Sequence, residues 1–282
     1  MSSTVISGDR LVQHLADPNW IVIDCRFALS DAAAGERSYH QGHIPQARYA
    51  HLERDLSGQI KTDTGRHPLP ERVKLAAKLG VWGVGRDSQV VVYDDVNGAM
   101  AARLWWLLRW LGHAGVALLD GGWTQWLKDG LPVSLETYSG DQVLFKPGPP
   151  LLNYLSTSEL QEGLRNNTIQ LVDARTAERF RGEVEPIDLI AGHIPGAINR
   201  PFQQNLAADG RFLPAGELLR QFTSQLDASL PHRVVNMCGS GVTACHNIVA
   251  MELAGLNGSQ LYAGSWSEWI RNPDNPVAKG TL

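Results

Sequence analysis

The residues best suited to covalent chemistry form a short loop near the C-terminus. Cys238 opens the stretch Cys-Gly-Ser-Gly-Val-Thr, which follows a strand-like apolar run and precedes an amphipathic, helix-like run. The two glycines let the backbone curl so that successive N–H groups can point inward and bind an anion. The N-terminus of the following helix adds positive potential at the same place. We therefore expect Cys238 to act as a thiolate nucleophile rather than as an inert buried thiol beside a turn.

Composition excludes several function classes. The chain has 282 residues, 43% hydrophobic and 19% charged, which suits two domains of ordinary size. The net charge of −4, without any basic block, predicts no nucleic-acid partner. Three cysteines with no CxxC pair indicate a reducing compartment. No signal-peptide pattern and no apolar run of about 18 residues is present, so we expect a cytoplasmic protein with no membrane partner.

Three short motifs occur twice, in the same order and at nearly constant spacing. They lie at 22–26 and 171–175, at 42–45 and 192–195, and at 121–126 and 264–269. Such self-similarity predicts a tandem duplication of one domain. We place the first domain at 1–140, a linker rich in proline and glycine at 141–155, and the second domain at 156–282.

Each half alternates short β-type runs with longer helical runs, one of which starts with a capping-box pattern from Ser156 to Glu159. This alternation predicts α/β domains, each with a mainly parallel sheet flanked by helices. Ligands of such sheets bind beyond the C-terminal ends of the strands, where the loop opened by Cys238 lies. The corresponding strand of the first half leads to Asp94 instead of a cysteine. We therefore assign the chemistry to the second half.

Together these motifs resemble the tandem-domain rhodanese family of sulfurtransferases. The resemblance covers nearly the whole chain. It rests on the repeated Gly-His-Ile-Pro and Asp-x-Arg, on Arg-Leu-Trp-Trp at 103–106 and on the closing motif at 264–269. The loop at 238–243 is similar to that of the 3-mercaptopyruvate branch, whereas thiosulfate-using relatives typically carry Arg and Lys at the positions of Gly239 and Ser240. The resemblance implies two rhodanese-like domains, of which the second is catalytic.

The resemblance also implies a reaction in two halves. Cys238 takes sulfur from 3-mercaptopyruvate, a small-molecule donor, and becomes a persulfide while pyruvate leaves. The sulfur then passes to a thiol acceptor, such as thioredoxin or a small thiol, or to cyanide; no cofactor and no metal are implied. Two alternatives stay open, a thiosulfate:cyanide sulfurtransferase and a persulfide relay to a protein partner. A phosphatase of this fold would need an arginine at position 244, which is Ala244 here.

Two arginines are candidates for holding the anionic end of the donor. Arg179 matches the family arginine with this role, since a guanidinium can pair with a carboxylate through two hydrogen bonds. Arg181 is the weaker candidate. The mercaptopyruvate branch usually carries a second arginine after a Glu-Pro pair, but Ile187 follows Glu185-Pro186 here. Arg181 is the replacement that the sequence offers.

A proton relay is implied as well. In relatives, a histidine at the position of His67 reaches the active cysteine from a polar loop of the first half, and it could pass a proton through Ser240. Glu53 falls near the position of the acidic member of that relay. Substrate binding through backbone N–H groups is expected at the remaining loop positions, Gly239, Gly241, Val242 and Thr243.

Residues that both halves share are predicted to be structural, because one half lacks the cysteine. His43 and His193 belong to the repeated Gly-His-Ile-Pro motif, and we expect packing roles for both. The Asp-x-Arg motifs at 24–26 and 173–175 are expected to form internal ion pairs.

Overall fold

The computed structural model describes residues 4–138, 140–226 and 230–280. By their internal contacts these residues form two units. Among the described residues, the first unit comprises 4–58, 70–138, 140–151 and 208–212, and the second comprises 59–69, 152–207, 213–226 and 230–280. The domain boundaries drawn from the sequence are continuous, whereas each unit also includes one short segment from the other half. As a result, His67 belongs to the same unit as Cys238.

The first unit is built on a five-stranded parallel sheet with the strand order β1-β5-β4-β2-β3. Its strands are β1 (Val5–Ile6), β2 (Trp20–Asp24), β3 (Arg48–Tyr49), β4 (Gln89–Tyr93) and β5 (Val116–Leu119). Its helices are α1 (Gly8–Val12), α2 (Ala34–Gln41), α3 (Arg72–Val81), α4 (Ala101–Trp110) and α5 (Gly122–Lys128).

The second unit repeats this topology with the strand order β6-β10-β9-β7-β8, again all parallel. Its strands are β6 (Tyr154–Leu155), β7 (Gln170–Asp173), β8 (Ile198–Asn199), β9 (Val234–Met237) and β10 (Gln260–Tyr262). Its α-helices are α6 (Thr157–Arg165), α7 (Ala177–Arg181), α8 (Ala215–Gln225), α9 (Ala244–Leu253) and α10 (Ser265–Trp269). Two short 3₁₀ helices span Phe202–Asn205 and Pro231–Arg233.

The predicted α/β class, with parallel sheets flanked by helices, is confirmed in both units. All four residues of β9 are buried, as expected for a central parallel strand covered on both faces. The predicted capping box is present as well, with Ser156 as the N-cap of α6 and Glu159 as its partner. No helix among the described residues is long and apolar enough to cross a membrane.

The three repeated motifs of the sequence contact one another within each unit. In the second unit, Arg175 donates hydrogen bonds to Asp173 at 2.7 Å and to the carbonyl oxygen of Gly192 at 2.8 Å. Its guanidinium also lies over the ring of Trp266, 4.8 Å from the centroid. The first unit repeats these contacts between the corresponding residues, Arg26, Asp24, Gly42 and Trp123. The predicted internal ion pairs are therefore present, and both are buried.

The two repeated histidines are packing residues, as predicted. The Nδ1 atom of His43 donates to the carbonyl oxygen of Tyr39 at 2.8 Å, and the two rings stack. In the second unit, His193 makes the same hydrogen bond and the same stack with Phe180. Both imidazoles are buried. Their repeated contacts explain why the motif occurs in a half that carries no cysteine.

Candidate active site

Cys238 follows the last residue of β9, the middle strand of the second sheet. Its N–H group donates to the Oγ atom of Ser265 at 3.1 Å, and its carbonyl oxygen accepts from the N–H of Trp266 at 3.0 Å. The carbonyl oxygen of Gly239 accepts from Ser267 at 2.9 Å. The start of α10 therefore holds the first two residues of the loop. Cys238 itself is 2% exposed.

The glycine at position 241 is required by the backbone. Gly241 has a φ of +75°, in the left-handed region that side chains disfavour. A Cβ atom there would also collide with the carbonyl oxygen of Ala263. The loop can therefore make its tight curl only with glycine at this position.

The space beside Gly239 is bordered by two guanidinium groups. A Cβ atom at this position would lie 2.9 Å from Nη2 of Arg66 and 3.6 Å from both terminal nitrogens of Arg179. A cationic side chain at position 239 would therefore meet two like charges. In this chain the positive charge beside the loop comes from outside the loop itself.

Ser240 and His67 share a hydrogen bond of 2.7 Å between Oγ and Nδ1. Both side chains are buried, and both residues belong to the second unit. The residue before His67 is held by a hydrogen bond as well, since the N–H of Arg66 donates to the Oγ atom of Ser267 at 3.1 Å. The two residues predicted to form the proton relay are therefore in contact, and one of them, Ser240, lies two positions after Cys238.

Arg179 and Arg66 are joined through carboxylates. Arg179 donates from Nη2 to Glu185 at 2.7 Å and to Asp188 at 3.2 Å. The guanidinium of Arg66 forms an ion pair with the other carboxylate oxygen of Asp188. Glu185 also accepts from Arg175 at 3.4 Å. These five side chains form one charged network that includes both guanidiniums next to Gly239.

Burial and ion pairs in this network shift the pKa values of three of its side chains. Burial opposes the charge of Glu185, but hydrogen bonds from Arg179 and from the N–H groups of Asp188 and Ile187 hold the pKa of its carboxyl below the usual value. Burial raises the pKa of Asp188, although Arg66 acts in the opposite direction. Burial also opposes the charge of Arg175, yet Asp173, Glu185 and a smaller effect of Cys238 raise its pKa.

Arg66 was not singled out from the sequence. It stands between Gly65 and the predicted His67 in a polar loop, where an arginine is typically solvated. Only the three-dimensional contacts distinguish it. The one available signal was its position next to His67, since a residue that carries an imidazole to Ser240 also brings its neighbour there.

The other predicted residues are placed as follows. Arg181 forms a two-bond ion pair with Glu183, at 2.7 and 2.8 Å, on the surface. Glu53 is an exposed residue of the first unit, and its N–H donates to the imidazole of His51. Val242 is buried, and Thr243 is the N-cap residue of α9. The roles of these residues stay predictions.

The first unit shows what the corresponding loop does without a cysteine. Asp94 follows β4 and is fully buried. Its carboxylate accepts four backbone N–H hydrogen bonds of 2.7 to 2.9 Å, from Val96, Gly98, Met100 and Ala101. Burial raises the pKa of this carboxyl, while the N–H groups oppose that shift. A loop between strand and helix in this repeat therefore does enclose an anion with backbone N–H groups.

Two segments of the chain, residues 7–129 and 156–272, match the family model of the rhodanese-like domain. A probable 3-mercaptopyruvate sulfurtransferase of Pseudomonas aeruginosa is 49% identical over 281 residues, which cover 99% of each chain. The thiosulfate sulfurtransferase of Mus musculus is 33% identical over 272 residues, and the alignment covers 93% of this chain and 90% of that protein. The structure of the 3-mercaptopyruvate sulfurtransferase from Leishmania major superposes with a TM-score of 0.83 at 31% identity, covering 96% of this chain and 76% of that one.

Proposed function

Because this chain belongs to the rhodanese-like family, we propose that it is a 3-mercaptopyruvate sulfurtransferase whose second unit carries the reaction. The observation that carries the proposal is the 2.7 Å hydrogen bond between Ser240 and His67. Loss of sulfur from 3-mercaptopyruvate leaves the enolate of pyruvate, which must take up a proton. Loss of sulfur from thiosulfate leaves sulfite, which needs none. A proton path beside the nucleophile therefore favours mercaptopyruvate.

In the first half of the reaction the Cys238 thiolate attacks the sulfur atom of the donor. The new S–S bond forms as the C–S bond of the donor breaks, and the electron pair of that bond passes to carbon to give the enolate. Ser240 passes its hydroxyl proton to the enolate, which becomes pyruvate, and takes a replacement from Nδ1 of His67. The imidazole regains its proton from the S–H group that the donor brought, so that no external acid is consumed. Cys238 is left as a persulfide, with the backbone N–H groups of the loop around its outer sulfur.

In the second half an acceptor takes the outer sulfur and restores the Cys238 thiolate. An acceptor thiolate attacks that sulfur and becomes a persulfide, while cyanide becomes thiocyanate. We place thiols such as thioredoxin or a small thiol among the acceptors, and the reaction in the cytoplasm, since cysteine use in this chain suits a reducing compartment.

The donor carboxylate is assigned to the two guanidiniums beside the loop. Arg179 is the arginine that the sequence predicts for this role. Arg66 borders the same space, since a Cβ atom at Gly239 would lie 2.9 Å from its Nη2 atom. A planar carboxylate can accept two parallel hydrogen bonds from one guanidinium and a further one from its neighbour. Arg66 then supplies the second cation that is missing at Ile187.

Thiosulfate:cyanide sulfurtransferase is the second candidate. The observation in its favour is the same pair of guanidiniums, Arg66 and Arg179, because two cations suit a compact dianion. The hydrogen bond between Ser240 and His67 argues against this activity, because the release of sulfite requires no proton transfer.

Donor kinetics test the proposal. The kcat/KM with 3-mercaptopyruvate and with thiosulfate should be measured at equal cyanide concentration. We expect a clear preference for mercaptopyruvate. A preference for thiosulfate would make this a thiosulfate enzyme. Folded protein that turns over neither donor, yet takes the outer sulfur atom from the persulfide of another protein and releases that protein's thiolate, would instead be a sulfur relay.

Changing His67 to asparagine should separate the two donors. We expect kcat with 3-mercaptopyruvate to fall about a hundredfold, since proton transfer to the enolate is lost, and kcat with thiosulfate to change far less. Ser240→Ala should have a similar effect, and the double variant should be no worse than either single one, because the two residues act as a unit. Equal losses with both donors would show that the hydrogen bond is only structural.

A further inference from the structure

We propose that Asp188 is a specificity-determining residue, whose carboxylate sets the charge of the donor site so that a monoanionic carboxylate is preferred to a dianion. This inference rests on the proposed function and names the residue that selects the donor charge. It addresses a specific problem of the site: two guanidiniums beside a nucleophilic cysteine would otherwise favour thiosulfate.

Asp188 is the group that both guanidiniums share. One of its carboxylate oxygens pairs with Arg66, and the other accepts from Nη2 of Arg179 at 3.2 Å. These same two guanidiniums border Gly239 in the cysteine loop. A donor anion that binds them must therefore lie next to the carboxylate of Asp188.

Asp188 is more deeply buried than its two aliphatic neighbours in the chain, which is the reverse of the usual pattern. Its side chain is 5% exposed, whereas the aliphatic neighbours Ile187 and Leu189 are 43% and 95% exposed. An acidic side chain is rarely buried in preference to two aliphatic ones unless charged partners hold it there. In this segment the carboxylate is buried against the two arginines, while the aliphatic side chains on either side of it are exposed.

Glu185 fixes the turn that presents Asp188. One oxygen of Glu185 accepts from the backbone N–H groups of Ile187 and Asp188, at 3.1 and 3.0 Å. The same carboxylate binds Arg179 through Nε and Nη2. Hydrogen bonds from Ile187, Asp188 and Arg179 to the carboxylate of Glu185 therefore hold Asp188 in a defined position.

Charge explains the selection. Arg66, Arg179 and Arg175 carry three positive charges, and Glu185, Asp188 and Asp173, the second partner of Arg175, carry three negative ones. These six side chains are therefore neutral together. Each negative charge on the donor is repelled by Asp188, and a dianion is repelled twice as strongly as a monoanion. Removal of this carboxylate should therefore help a dianion more than a monoanion.

The test uses two unreactive anions, sulfate as the dianion and pyruvate as the monoanion. Their Kd values are measured by calorimetric titration at constant ionic strength. In Asp188→Asn we expect the Kd of sulfate to fall about tenfold further than the Kd of pyruvate. The ratio of kcat/KM for thiosulfate to that for 3-mercaptopyruvate should rise by a similar factor. Asp188→Glu, which restores the charge, should return both ratios towards those of the unchanged protein.

Glu217→Gln is the matched control. Glu217 on α8 also pairs with an arginine, Arg220, so this variant removes one carboxylate and one ion pair of the same unit. It should leave both ratios unchanged. If asparagine at 188 lowers the Tm strongly, Asp188→Ser repeats the measurement with a smaller neutral side chain.

The outcomes separate this inference from the proposed function. A sulfate-to-pyruvate ratio that does not move in Asp188→Asn, or that moves equally in Glu217→Gln, overturns the role of Asp188 even if mercaptopyruvate is the better donor. A ratio that moves as expected supports the role of Asp188 even if neither donor turns over, in which case the proposed function alone fails.

Discussion

Replacing Cys238 with serine is expected to lower kcat/KM with 3-mercaptopyruvate by at least about a thousandfold, since loss of a covalent nucleophile removes the whole reaction path. Serine fits the same space, and the hydrogen bonds that hold the loop come from backbone atoms of residue 238. The fold should therefore be kept. A second readout is the mass of the peptide that contains residue 238 after treatment with donor alone. It should gain one sulfur atom in the unchanged protein and none in the variant.

Cys25→Ala serves as the matched control for that experiment. Cys25 follows β2 in the first unit and is buried like Cys238. Burial, together with the nearby carboxylates of Asp24, Asp94 and Asp55, raises the pKa of its thiol, so it stays protonated and unreactive. We expect its loss to leave turnover unchanged. Sulfur found on Cys25, or activity that survives in Cys238→Ser, would contradict the assignment of the nucleophile.

Replacing Arg175 with methionine is expected to lower the free energy of unfolding by about 3–5 kcal/mol, because Asp173 is then left as a buried charge without its partner. Arg175 and Asp173 are 1% and 0% exposed, so water cannot take over the role of the guanidinium. Equilibrium denaturation in urea measures the loss. Activity per folded molecule should fall as well, since Arg175 also holds Glu185, the carboxylate that binds Arg179.

Arg26→Met is the control that the duplication provides. Arg26 makes the same buried contacts with Asp24, Gly42 and Trp123 in the unit that lacks the cysteine. We expect a similar loss of stability but no loss of activity per folded molecule. An unchanged stability in both variants would show that the ion pairs are not needed for folding. An equal loss of activity in both would show that Arg175 has no special link to the active site.

Several parts of the site were predictable because they depend on local sequence. The strand, the cysteine, the two glycines and the helix follow one another directly, and Gly241 has the positive φ that such a curl needs. The contact between His67 and Ser240 came from the resemblance to a family, and the structure brings the two together. Arg181, offered as the second cation, pairs with Glu183, whereas Arg66 borders the loop.

The duplication, the parallel α/β class and the position of the cysteine loop could be predicted from the residues alone. Repeated motifs can be found by comparing the two halves of the chain, and apolar runs and glycine positions are local patterns. The sequence did not reveal the two-residue strands β1, β3, β6 and β8, since so few residues show no periodicity. The tertiary structure alone decided that residues 59–69 join the second unit and that Asp188 is shared by Arg66 and Arg179. Arg66 and Asp188 are 122 positions apart in the chain. Packing of distant segments sets such a contact, and no local pattern records it.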